Sequence, residues 1–148
     1  MAYCLMPNHI HFLIKTHCEI ALEVHPKYKL NFHKLIMQEI SNLLNANAKA
    51  YNIKYNRKGA LWIYYTKRFK VDSESYLASV INYIHQNSVK HGFIGSAGGW
   101  QYSSFNAILS EKPTLIKRDE VIRWFGSKDN YLNFHLKETG SLNNDWEY

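Results

Sequence analysis

Two cysteines, Cys4 and Cys18, are all the chain contains, and they lie far outside CxxC spacing. Neither a disulfide framework nor a zinc knuckle is indicated, and both thiols are expected to be buried or idle. No apolar run approaches the roughly 20 residues that a membrane-spanning helix requires. The N-terminus also lacks the basic-then-apolar layout of a secretion signal, so a cytoplasmic protein with no membrane partner is expected. Internal repeats and low-complexity segments are missing too. One domain over residues 1–148 is therefore expected, with a frayed polar tail at 138–148.

What is present suffices for a sizeable core, since 46% of the residues are hydrophobic and 15% aromatic. Lys and Arg exceed Asp and Glu by 18 to 12, a net charge of +6. That balance favours an anionic partner without identifying it.

Residues 2–6 are short and apolar, Pro7-Asn8 is a turn signal, and 9–15 alternates again, which predicts a two-stranded hairpin. From about 28 to 50, Phe32, Leu35, Ile36, Ile40, Leu43 and Leu44 recur at three and four, the helical period. The aromatic and β-branched stretch 60–69 (ALWIYYTKRF) reads as a strand. Asp72 or Ser73 can cap a second helix with Tyr76, Leu77, Val80, Ile81 and Ile84 on one face, ending near Gly92. Short helices are expected at 118–125 and from 127 to about 137. The fold class is α+β, an antiparallel sheet covered by helices.

His9-Ile10-His11 is the sharpest local feature, because the period of a strand puts both imidazoles on one face. Neutral imidazole is a common ligand of divalent ions, yet two histidines make an incomplete shell and two half-exposed strand histidines would read alike. Tyr83 and Asn87 lie four apart and project from one side of the second helix. Taken alone, Tyr83 is equally one more amphipathic aromatic among 11 tyrosines.

The string Tyr3-Cys-Leu-Met-Pro-Asn-His-Ile-His-Phe-Leu-Ile14 resembles the MPNHxH signature of IS200-like single-tyrosine (HUH) transposases, especially the branch associated with repeated extragenic palindromes. Tyr83-Ile-His-Gln-Asn87-Ser-Val-Lys-His-Gly92 is similar to that branch's YIxxNPVxxG segment, and Trp100-Gln-Tyr-Ser-Ser-Phe105 to its WxxSS element. The resemblance implies a ferredoxin-like nuclease core in which His9, His11 and Asn87 hold Mg²⁺ or Mn²⁺ and Tyr83 is the nucleophile. The implied activity is nicking and strand transfer of single-stranded or hairpin DNA through a 5′-phosphotyrosine, the chemistry of transposition.

Lys67, Arg68, Lys70, Lys90, Lys117 and Arg118, interleaved with Trp62, Tyr64, Tyr65 and Trp100, are candidate contacts for phosphates and unstacked bases. Two departures from the family pattern stand out. Ser88 occupies the place of its usual Pro, and Met1 falls almost at the motif, where relatives carry a first strand and helix. The sheet is thus expected to lack that strand, leaving the strand of His9 with an open edge or paired to a symmetry-related copy. Assembly of the site within one chain or across a homodimer is left open. The alternative to the enzyme is a truncated or domesticated DNA-binding relative. A phosphoesterase or nucleotidyl hydrolase using an HxH pair would call for a third nearby histidine or a second HxT/S motif, and Phe12-Leu13 follows instead.

Overall fold

The computed structural model describes residues 1–17, 31–62 and 66–136. β1 (Ala2–Leu5) and β2 (Ile10–Leu13) pair antiparallel, with Cys4 opposite His11 and Ala2 opposite Leu13. Pro7-Asn8 makes the turn, closed where the Met6 N–H donates to the His9 carbonyl at 2.9 Å. Alternation sorts the faces: Ala2, Cys4 and Leu13 are buried, while Leu5 and Phe12 face out. His11 shares the buried face with Cys4 and Leu13.

The other edge of β1 is met by the Trp100–Phe105 segment. Ser104 N–H donates to the Tyr3 carbonyl at 3.0 Å, Leu5 N–H donates to the Tyr102 carbonyl at 2.9 Å, and Cys4 forms a single antiparallel bridge with Ser103. Among the described residues no strand lies against the outer edge of β2.

The chain divides into two compact units, one of Met1–Lys15 with the residues from Lys70 onward, the other of Thr16–Phe69. In the first unit the α-helices are α2 (Glu74–Lys90), α3 (Phe105–Leu109), α4 (Arg118–Phe125) and α5 (Lys128–Leu136). Ser73 caps α2, its Oγ accepting from the Tyr76 N–H at 3.2 Å, and Ser127 caps α5 in the same way through Asn130. Val80, Ile81 and Ile84 of α2 pack with Cys4 and Met6 of the hairpin and with Ile108, Val121, Phe125 and Tyr131 in one core.

In the second unit α1 runs over Phe32–Lys54, with Asn31 as its cap. Its predicted apolar stripe is buried at Leu35, whereas Leu43 is 63% exposed. The strand expected at 60–69 is corrected. Residues 60–62 and 66–69 are not in a strand, and 63–65 lie outside the described residues. β propensity depends on context, and a stretch rich in aromatic and β-branched residues forms a strand only where its backbone pairs with a partner. Trp62 instead donates its indole N–H to the Leu44 carbonyl of α1 at 3.1 Å.

The α+β class therefore holds, as a small sheet with five α-helices among the described residues. No helix there is long and apolar enough to cross a membrane. Cys4 is buried as expected; Cys18, the first residues of the predicted long helix and the tail at 138–148 lie outside the described residues.

Candidate functional site

The hairpin and α2 approach closely because the facing side chains are small. Cys4 and Ser88 are both fully buried and hydrogen-bonded to each other, and burial pushes the Cys4 thiol up from its ordinary value. Cys4 is the register partner of His11, so this contact carries the histidine to α2. The His11 and Tyr83 rings meet edge to face, with centroids 5.6 Å apart. His9, just before β2, stands edge-on to His11 at 5.1 Å. Asn87 is 2% exposed and donates its amide N–H to the Tyr83 carbonyl at 2.7 Å, one turn back along α2. The two constellations of the sequence thus lie together within one unit.

Burial holds the His11 imidazole down at about 4, helped by His9 and His91 and partly offset by the Asn87 side chain. Burial and His91 lower His9 as well. Both rings are neutral near pH 7, the state in which imidazole binds a metal. His11 Nε2 is buried without a hydrogen-bond partner, an uncommon and costly state for a ring nitrogen. Among the described residues no group of three or more His, Cys, Asp or Glu side chains is arranged to hold a metal ion. By donor chemistry, two neutral imidazoles and an amide oxygen are groups that could contribute to the shell of a divalent ion.

His91 was not singled out from the sequence, yet its ring lies 4.8 Å from that of His9. It is placed there by the end of α2. Gly92 at φ +72° lets the Phe93 N–H return to the Ser88 carbonyl and the Gly92 N–H to the Val89 carbonyl, each at 2.9 Å. The glycine was legible as a stop signal; the side chain it would aim at β2 was not.

A second feature invisible in the sequence is a chain of neutral hydrogen bonds behind the site. His135 Nδ1 donates to the Tyr131 carbonyl at 2.8 Å, which leaves its Nε2 as an acceptor for His85 Nδ1–H at 2.9 Å. His85 Nε2 must then accept, and the Ser104 hydroxyl donates to it at 2.7 Å while accepting the Tyr3 N–H at 2.9 Å. The inventory closes with both imidazoles neutral, in keeping with burial that pushes His85 well down and His135 to about 4. This clasp joins β1, α2 and α5. It also gives Ser104, from the Trp100–Phe105 motif, a definite structural task.

The remaining candidates are dispersed. Trp62, Lys67 and Arg68 belong to the second unit, where Arg68 meets the His33 ring at 3.0 Å. In the first unit, Lys70 pairs with Asp72 at 2.6 Å, and Lys90 is exposed on the last turn of α2 next to His91. Tyr76, seven residues before Tyr83 on α2, packs against the core.

A protein of Haemophilus influenzae provisionally named a REP-associated tyrosine transposase is 28% identical to this chain over 109 residues, 72% of this chain. The match spans 58% of the length of that relative. The similarity bears out the resemblance carried by the three motifs. No family model matches the chain, and no solved structure does.

Proposed function

We propose that the site cleaves and rejoins single-stranded DNA, with Tyr83 as nucleophile and His9, His11 and Asn87 as the holders of a divalent ion, Mg²⁺ or Mn²⁺. The observation that carries this reading is the convergence of His11, its Nε2 buried and unpartnered, with Tyr83 and Asn87. On this reading the hairpin and α2 are part of a ferredoxin-like nuclease core. The similarity to the Haemophilus protein supports a role in transposition.

An ion held there supplies Lewis-acid polarisation of the scissile phosphate and offsets the charge that develops on it. Tyr83 is half-buried, and its ring packs edge to face against His11. Its oxygen attacks phosphorus and gives up the phenol proton. The P–O3′ bond breaks, the 3′ oxygen takes up a proton, and the 5′ phosphate remains esterified to the tyrosine. Because the ester replaces an ester, rejoining needs no ATP. Asn87, tied to the backbone of Tyr83, keeps the amide and the phenol on one face of α2.

Incubation with 3′-end-labelled single-stranded oligonucleotides bearing hairpins tests this reading. A covalent adduct should appear on a denaturing gel with Mg²⁺ or Mn²⁺ and vanish with EDTA. If the wild-type chain forms none with any divalent metal, the alternative of a non-catalytic DNA-binding relative takes its place.

A further inference from the structure

Beyond His91 the line of rings continues away from Tyr83. The His91 and Phe93 rings lie 6.5 Å apart, Phe93 stacks on Trp100 at 5.7 Å and 29°, and Trp100 meets Tyr102 edge to face at 5.5 Å. The catalytic reading uses none of the last three. Phe93 is 39% exposed and Tyr102 53%, and neither ring is part of the core of the first unit.

These rings are held rather than loose. Phe93 is fixed by its backbone bond to Ser88, and Trp100 donates its indole N–H to the Leu5 carbonyl at 2.9 Å. Gly99 packs so closely on Ile94 that an added Cβ would stand 2.9 Å from its Cγ1, so the loop between the two rings has little room to rearrange. A row of rigid, half-exposed aromatics is costly to leave in water. It is also well suited to receive flat partners, since little ordering is required on binding.

We infer that Phe93, Trp100 and Tyr102 form a stacking platform for unpaired bases of single-stranded DNA, leading from the phosphate at Tyr83 along the His91 side of the site. The inference rests on the nuclease reading and names where its substrate lies. Three observations select this occupant. The ring line is continuous with the candidate site; Lys90 stands exposed beside His91, where a backbone phosphate would pass; and the chain carries a net charge of +6. Every base offers a π face, so such a platform holds a strand irrespective of sequence.

Fluorescence anisotropy at fixed salt tests it, using labelled oligothymidylate and an abasic strand of equal length. Wild type should prefer the base-bearing strand. Phe93→Ala and Tyr102→Ala should each weaken oligothymidylate binding by roughly tenfold, leave the abasic strand unchanged, and retain the wild-type circular dichroism spectrum. Tyr102→Phe keeps a ring and should bind as wild type. If the rings only pack the loop, thermal stability falls while the preference for bases over abasic sugar is unaltered, and the platform is overturned. Adduct formation through Tyr83 separates the two claims. An adduct with no ring dependence leaves the nuclease without the platform, whereas ring-dependent binding without an adduct leaves the platform without the nuclease.

Discussion

Tyr83 touches the site with a ring and a single reactive atom, and the two can be separated. Tyr83→Phe keeps the edge-to-face contact with His11 and nearly all the buried area, so fold and DNA affinity should persist while the covalent adduct disappears. Tyr76→Phe, seven residues earlier on α2, should form the adduct at the wild-type rate. The reverse pattern on a denaturing gel would transfer the nucleophile to Tyr76. His11→Ala removes a half-buried imidazole whose buried Nε2 has no hydrogen-bond partner, so it should cost metal before it costs structure. Removing even a supporting group costs roughly 10–100-fold in metal affinity; loss of His11 should equal or exceed that, with partial rescue by excess Mn²⁺. Calorimetric titration of Mn²⁺ into both proteins checks it, and equal affinities would remove His11 from the ligand set.

The elements that carry these residues differ in how far the sequence disclosed them. β1, β2 and α2 depend on local signals, namely alternation, a Pro-Asn turn, a Ser cap and a glycine stop, and each appears where those signals place it. The clasp of Ser104, His85 and His135 does not, because its partners lie 19 and 50 residues apart and no period joins them. Ser104→Ala should destabilise the first unit by about 1–3 kcal/mol, the cost of leaving the His85 Nε2 and the Tyr3 N–H unpaired. Gly92→Ala tests the other junction. No atom lies within 4 Å of its Cβ position, so the penalty, about 1–2 kcal/mol, is one of backbone conformation at φ +72°. Urea unfolding measures both, and Gly92→Ala should in addition loosen the approach of His91 to His9.

For the whole molecule, the strand expected at 60–69 is not found at residues 60–62 and 66–69 while the expected helix α1 is present, for a shared reason. A helix satisfies its own backbone, whereas a strand depends on an edge supplied by distant chain, which composition does not reveal. Charge state is a second global property written into packing and not into sequence. His11, His85 and His135 are all held below the imidazole value of 6.5, His11 and His135 at about 4. As pH falls through 6.5 the unfolded chain protonates these rings and the folded chain does not, so the unfolded state binds more protons and stability drops. The loss should accumulate from pH 6.5 down to about 4. Each such ring contributes a slope of about 1.4 kcal/mol per pH unit, with the half-buried His11 contributing less than the buried pair. His85→Leu combined with His135→Leu deletes both members of the pair together, and its urea midpoint should vary less with pH over that window than the wild-type midpoint. A double variant at least as acid-sensitive as wild type would mean that the pair is not held neutral by the fold.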